Sequence, residues 1–312
     1  MLVGIDVGGT KTHVLAADEQ GVTVLEQVVP TASWRHGGLV DDEGNVPRLL
    51  DLVAALPDAG AAALVVGAHG LDSERQTTEF AAALRRHHAG PSLAVNDVEL
   101  LVPAAGFAEG LAMVVGTGSK VVGHDLQGRL VAAGGFGFLL SDWGSAPALA
   151  FASAKAVLDA HDAGAEPDPL AHALMTQVGA ADLLGVAEAF SYDVDIHAWG
   201  ARAPLIFEAA AAGSVLAAGV IDDAADLLAR AVSHVLRRGA VGSDVVCAGG
   251  VITAQPRMFE AVRAAVARRS PGVHVHLLDV PPARGALALA GSLGSPATSP
   301  TATPAASPVP AH

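Results

Sequence analysis

The chain has 312 residues and a mass of 31.2 kDa, a length typical of about two domains. Hydrophobic residues make up 51% and charged residues 16%, which excludes a chain that is disordered throughout. The net charge of −14 argues against a nucleic-acid-binding protein, and no uncharged run without proline reaches the ~18 apolar residues of a membrane span. With no basic signal-peptide start before Asp6, we expect a cytoplasmic α/β protein without membrane or nucleic-acid partners.

The first half of the chain predicts strands that alternate with helices. Strands predicted at 2–7 and 11–17 flank the turn Gly8-Gly9-Thr10, and the β pattern continues over 22–29. The pattern then predicts helices at 46–56, 77–88 and 98–105, and strands at 62–67 and 93–95.

The opening pattern recurs after roughly 110 residues. A strand at 111–115, the turn Gly116–Ser119, a strand at 120–124 and a Gln-Gly turn repeat the order seen at the N-terminus. The remaining elements are strands at 129–132, 244–248 and 273–277, and helices at 146–161, 169–178, 181–190, 203–212, 215–238, 256–269 and 283–290.

A repeat of this length indicates a duplicated domain rather than a solenoid. We therefore predict two α/β domains, residues 1–106 and 107–291, that flank a cleft. Residues 292–312 are mostly Ser, Thr, Pro and Ala, and we predict a disordered tail there.

The two glycine-rich turns have the composition of phosphate-binding loops. Glycine lets backbone N–H groups approach an anion closely, and Thr10 and Thr12 add hydroxyl donors. An ordinary hairpin turn is the alternative for either turn alone, but the second copy favours a clamp. Asp6 lies inside an apolar strand, where a carboxylate is costly unless it is paired or associated with a metal such as Mg²⁺.

Six motifs occur along the chain in this order: Asp6-Val-Gly-Gly-Thr-Lys-Thr12, Asn96-Asp97, Gly116-Thr-Gly-Ser119, Gly134-Gly-Phe-Gly137, Asp142-Trp-Gly-Ser145 and Gly249-Gly250. In order and spacing they resemble the N-acetylglucosamine kinase branch of the BadF/BadG/BcrA/BcrD ATPase family, within the actin-like/hexokinase/Hsp70 superfamily. The resemblance covers about residues 1–290. It implies duplicated actin-like ATPase (ribonuclease H-like) domains around an interdomain cleft.

The resemblance also implies a role for each matching position. Asp97 corresponds to the base that takes the proton from the sugar 6-hydroxyl, although an Asn-Asp pair before a helix is equally suited to capping it. Asp6 is expected to associate with Mg²⁺ through water. The expected ATP-phosphate ligands are Gly8, Gly9, Thr10, Lys11, Thr12, Gly116, Thr117, Gly118 and Ser119, and the expected adenosine contacts are Gly249 and Gly250. The expected sugar contacts are Asn96, Asp97, Thr117, Gly118, Gly135 and Asp142, together with Ser33 and Trp34, which stand in the loop where the family usually supplies an Asn.

The implied function is an ATP- and Mg²⁺-dependent amino sugar kinase that phosphorylates N-acetylglucosamine at the 6-hydroxyl. Glucosamine, N-acetylmuramate or another hexose stays open as the substrate, and so does a homodimer. Trp143 stands where the family commonly has an acid, which leaves a catalytically weak sugar-binding sensor as an alternative. The family's other branch uses a subunit-bridging iron–sulfur cluster, and the single Cys247 argues against it.

Overall fold

The computed structural model of the chain describes residues 1–192 and 195–293, so the predicted tail from residue 294 onward lies outside the described residues. The strands are β1 Leu2–Val7, β2 Lys11–Ala17, β3 Thr23–Pro30, β4 Ala63–Ala68, β5 Ser92–Asn96, β6 Leu111–Val115, β7 Ser119–His124, β8 Leu130–Gly134, β9 Asp244–Ala248 and β10 His274–Leu277.

The α-helices are α1 Asn45–Asp51, α2 Glu74–His87, α3 Leu101–Ala104, α4 Ala146–Asp162, α5 Pro169–Val178, α6 Leu183–Tyr192, α7 Ile196–Gly200, α8 Ala203–Ala211, α9 Val215–Arg237, α10 Gly250–Ala254, α11 Pro256–Arg269 and α12 Ala283–Leu293. Within the described residues, 3₁₀ helices lie at Thr31–Ser33, Ala59–Ala61 and Asp97–Leu100.

The strands form two five-stranded sheets with one topology. The first sheet has the order β3-β2-β1-β4-β5 and the second the order β10-β9-β6-β7-β8. In each sheet an antiparallel meander continues into parallel strands, through β1–β4 in the first and β6–β9 in the second. The duplicated α/β fold class predicted from the repeat is therefore confirmed.

Two predicted helices differ from the structure. The helix predicted at 46–56 ends at Asp51 and continues as turns towards Pro57. From Leu52 to Ala54 the backbone N–H groups donate to the carbonyl three residues earlier, so the chain tightens into turns instead of continuing the α-helix. The helix predicted at 98–105 is a 3₁₀ helix, Asp97–Leu100, followed by the single turn of α3. The short helices α7 and α10 were not predicted because five residues carry too little periodicity to read.

The last helix packs against the first sheet although it follows the second in sequence. A Cβ added to Gly4 of β1 would lie 2.8 Å from the Ala283 carbonyl oxygen, so glycine permits the close approach of α12. Ala286 and Ala290 of α12 are fully buried beside Val65 of β4. The division at residue 106 stays a prediction, and α12 closes the chain back onto the first sheet.

The 3₁₀ helix Asp97–Leu100 lies between the two sheets. It contacts β1 of the first sheet and both β6 and β7 of the second. Side chains at the ends of β1, β5 and β7 therefore meet in one region. Across residues 1–192 and 195–293, no single helix is long and apolar enough to cross a membrane, and two bent helix pairs reach that length and composition only when taken together.

Candidate active site

The first glycine turn is a compact hairpin between β1 and β2. The Gly8 N–H donates to the Lys11 carbonyl at 3.0 Å, and the Thr31 hydroxyl donates to the Gly8 carbonyl at 2.9 Å. Gly9 and Thr10 are exposed at the tip, as is Lys11 at the start of β2. The tip is thus held by Thr31 from behind and presents backbone and side-chain donors outward.

Thr12 and Trp34, both expected to contact ligand, lie inside the first domain. The Thr12 hydroxyl is fully buried, lies 3.0 Å from the Thr31 hydroxyl and accepts from the Trp34 indole N–H at 2.9 Å. Trp34 is 3% exposed and belongs to the core of the first sheet. The ring face is therefore not available to stack on a sugar, and the Thr12 hydroxyl is already used. Ser33 is exposed and donates to the Pro30 carbonyl at 2.6 Å.

The second glycine turn is packed against the Gly249-Gly250 turn. The Gly116 N–H donates to the Gly118 carbonyl at 2.9 Å, which closes the hairpin between β6 and β7. A Cβ on Gly116 would lie 3.2 Å from the Gly250 nitrogen, and a Cβ on Gly249 would lie 2.6 Å from the Val115 oxygen. The structure thus brings together the predicted phosphate turn and the predicted adenosine turn.

Thr117 and Ser119 of this turn differ in their freedom. Thr117 is exposed at the tip. The Ser119 hydroxyl is buried and donates to the Trp143 carbonyl at 2.8 Å, so it fixes the turn from inside. The Trp143 indole packs on the core of the second sheet, with the Arg230 guanidinium 5.8 Å from the ring centroid.

Asp142 organises the loop that follows β8. Its carboxylate accepts the Gly137 N–H at 3.1 Å and also interacts with the backbone N–H groups of Ser119 and Gly135. A Cβ on Gly118 would lie 3.1 Å from Asp142 Oδ2, which places this carboxylate beside the second glycine turn. Burial raises the pKa of Asp142, while the three N–H contacts oppose the rise. Gly135 lies exposed beside it, against the stem of Lys120.

Asp97 stands at the start of the 3₁₀ helix between the sheets, and its capping role is shared. Asn96 is the N-cap residue, and its side-chain oxygen accepts the Val98 N–H at 3.3 Å. Asp97 Oδ1 accepts the same N–H at 3.0 Å. Because Asn96 and Glu99 form a complete capping box, the helix has an N-cap that does not depend on Asp97.

Asn96 is buried with its amide engaged. Its NH₂ group donates to the Leu71 carbonyl at 3.1 Å and to Asp72 Oδ1 at 3.2 Å. A sugar hydroxyl would have to replace one of these contacts. The expected sugar contact at Asn96 stays a prediction, and the structure gives the residue a cap and a cross-link instead.

Asp6 and Asp97 form the centre of a small acidic cluster. Burial, with a further contribution from Asp97, raises the pKa of Asp6 to about 7, while Lys11 opposes the rise. Burial also raises the pKa of Asp97, with a contribution from Asp72, and His69 and Lys120 oppose it. Two carboxylates this close in a poorly solvated position favour a cation or a shared proton between them.

Lys120 crosses between the sheets at this cluster, and it was not among the predicted site residues. Its ammonium lies 3.4 Å from Asp72 Oδ1, and the side chain is 17% exposed. His69 and Asp72, which follow β4, were also missed. A signal existed for Lys120 alone, because it occupies the same place after the second turn that Lys11 occupies after the first.

Comparisons with known proteins agree with the resemblance. A sequence profile described as the BadF/BadG/BcrA/BcrD ATPase family matches residues 3–290. The N-acetyl-D-glucosamine kinase of Dictyostelium discoideum is 24% identical over 93% of this chain and 97% of its own length. The N-acetylmuramic acid/N-acetylglucosamine kinase of Clostridium acetobutylicum is 28% identical over 52% of this chain and 54% of its own.

A solved structure shares the fold at low sequence identity. The crystal structure of a Chromobacterium violaceum protein, provisionally named N-acetylglucosamine kinase, has a TM-score of 0.65 and 21% identity. The alignment covers 93% of this chain and 98% of that one. Because the family profile spans nearly the whole sequence, the chain belongs to the BadF/BadG/BcrA/BcrD ATPase family.

Proposed function

We propose that this family member is an ATP-dependent kinase of an amino sugar, acting on the 6-hydroxyl of N-acetylglucosamine. Two relatives that carry N-acetylglucosamine in their names support the substrate class. The family membership supports the use of ATP.

The observation that carries the proposal is the position of Asp97. It lies between the two sheets, close enough to Asp6 to raise that group's pKa, and Asn96 and Glu99 already cap its helix. A carboxylate kept in a costly place, where Asn96 shares its capping contact, is typical of a functional group. Burial moves the pKa of Asp97 towards neutral pH, and a general base is most effective when its pKa lies near the working pH.

The chain's own groups divide the remaining work of phosphoryl transfer. The exposed tips at Gly9 and Thr10 and at Thr117 present donors for phosphate oxygens, and the open space above Gly250 suits the nucleoside. Asp142, beside the second turn, is the proposed holder of the sugar loop. In the step itself, the sugar oxygen bonds to the γ-phosphorus, the bond to the ADP oxygen breaks, and Asp97 receives the hydroxyl proton.

Mg²⁺ fits the residues at the end of β1. The Asp6 carboxylate is poorly solvated and interacts with the Asp97 carboxylate, and a hard divalent cation would relieve both costs. We assign Asp6 as the residue that would hold the ion, through water. When bound, Mg²⁺ neutralises charge on the phosphates.

A pair of variants tests Asp97 against its capping role. Asp97→Asn keeps an oxygen that can accept the Val98 N–H, so folding stability should hold while kcat falls about 10²–10⁴-fold. Asn96→Ala should lower the free energy of unfolding by about 1 kcal/mol, the usual loss for a missing cap. A coupled ADP-release assay and thermal unfolding measure both. Wild-type kcat in Asp97→Asn would remove it as the base, with Asp142 the next candidate.

Within the class of amino sugars, the identity of the substrate is a further proposal. N-acetylglucosamine is the first candidate, and a panel with glucosamine, N-acetylmannosamine, N-acetylmuramate and glucose ranks the others by kcat/KM. Location in the cytoplasm and assembly as a homodimer stay predictions.

A further inference from the structure

A hydrogen-bonded pair joins the two sheets on the far side of the Asp97 helix. His124 is the last residue of β7 in the second sheet, and its Nε2 lies 2.8 Å from Glu99 Oε2. Glu99 belongs to the 3₁₀ helix that starts at Asp97. Neither residue is assigned to ATP or sugar binding above.

The Glu99 carboxylate uses its other oxygen to hold the backbone next to Asp97. Oε1 accepts the Asn96 N–H at 2.8 Å, while the Val98 N–H is held at 3.3 Å by Asn96 Oδ1. The residues on both sides of Asp97 are thereby fixed by one capping box. With the backbone held on both sides, the Asp97 carboxylate moves by rotation about its own side-chain torsions. Its contact with the Val98 N–H limits this rotation.

We propose that Glu99 and His124 are positioning residues for Asp97, and that their pair ties the base on the first sheet to the second. This inference rests on the proposed function, because it assumes that Asp97 takes the substrate proton. Neither residue reaches the reacting atoms. They act by fixing the position of the Asp97 carboxylate, because a displacement of a catalytic group by about 1 Å can lower the rate about 10²-fold.

The state of His124 is set mainly by Glu99. The hydrogen bond to Glu99 raises the pKa of His124, burial opposes the rise, and Asp125 adds to it. The Asp125 carboxylate is itself engaged by the Arg129 guanidinium at 2.8 Å. A protonated imidazole makes a charge-assisted bond to Glu99, and a neutral one makes a weaker bond.

Solvent reaches His124 from a cavity of about 980 Å³ between the sheets. The charged and titratable groups that line it are Glu99, Glu109, His124 and Asp125. The His124 side chain is 44% exposed, so it titrates with the bulk solution. Because its pKa is raised, the stronger bond is present at low pH and weakens as the pH rises through that pKa.

The test compares variants that keep or remove the side-chain hydrogen-bond donor at position 124. His124→Leu removes it, and we expect kcat to fall about 10-fold while the KM for ATP stays within about 2-fold. His124→Gln keeps a neutral donor and should restore most of kcat. The ratio of wild-type kcat to that of His124→Gln should be largest near pH 6, where His124 is protonated, and approach unity near pH 9. The titration of Asp97 affects both proteins and cancels in this ratio.

The matched control is His276→Leu, which removes the partner of another carboxylate, Asp244 Oδ1, at 2.7 Å within the second sheet. This control should leave kcat unchanged at a similar loss of stability. An equal loss of kcat in His276→Leu, a ratio independent of pH, or wild-type kcat in His124→Leu would overturn the proposal. Failure of the proposed function is distinct, because the wild type would then phosphorylate no sugar of the panel and release no sugar-dependent ADP.

Discussion

The adjacent glycines of the Gly249-Gly250 turn should respond in opposite ways to alanine. A Cβ on Gly249 would lie 2.6 Å from the Val115 oxygen, and its φ of +110° is a conformation that other residues rarely adopt. Backbone strain costs about 1–3 kcal/mol and overpacking about as much again, so Gly249→Ala should lose roughly 2–6 kcal/mol of unfolding free energy. A Cβ on Gly250 meets nothing within 4 Å, so Gly250→Ala should fold as well as wild type or better.

Thermal unfolding and the KM for ATP separate the two effects. Gly249→Ala should lower Tm on the order of 10 °C, since about 1 kcal/mol corresponds to ~2–4 °C in a chain of this size. Gly250→Ala should keep Tm and raise the KM for ATP, because its methyl group enters the space assigned to the nucleoside. A Gly249→Ala variant within about 1 kcal/mol of wild type would refute the close approach of the two turns. An unchanged KM for ATP in Gly250→Ala would refute the nucleoside assignment.

Three further substitutions probe single contacts. Burial raises the pKa of Asp6 from its ordinary 3.8 to about 7, so the ligand-free protein should lose stability as the pH rises between these values. Asp6→Asn should remove this dependence of Tm on pH and abolish turnover. An unaltered curve of Tm against pH would contradict the burial of Asp6. Thr12→Val leaves the buried Trp34 indole N–H unpaired and should cost about 1–3 kcal/mol with the KM for ATP unchanged, whereas a raised KM would return Thr12 to the phosphate ligands. Lys120→Met removes a charge that holds the pKa of Asp97 down, so the acidic limb of kcat/KM should move to higher pH, and a stationary limb would count against Lys120 as part of the site.

The sheets were predictable because their signal is local. β1 and β2 carry apolar runs bounded by glycines, and the second copy at β6 and β7 repeats the pattern. The return of α12 to the first sheet was not predictable in this way. It depends on the missing side chain of Gly4, a contact between residues almost the full chain apart.

The candidate site was predictable where it consists of backbone turns, and less so where it consists of side chains. The turns at Gly8 and Gly116 lie where the motif places them. Thr12 carries a hydroxyl that suits a phosphate ligand. Strand alternation nevertheless buries its side chain, whereas the side chain of the neighbouring Lys11 is exposed. Lys120 and Asp72 meet only because two sheets face each other, and no spacing along one strand encodes that.

The most direct test of the account is the product formed from ATP and N-acetylglucosamine with Mg²⁺, identified by phosphorus and proton NMR and followed by ADP release. We expect the wild type to form ADP and N-acetylglucosamine 6-phosphate in equal amounts, at a rate reduced about 10²–10⁴-fold in Asp97→Asn. ATP hydrolysis without a phosphorylated sugar, a phosphate on another hydroxyl, or equal rates for the two proteins would contradict it.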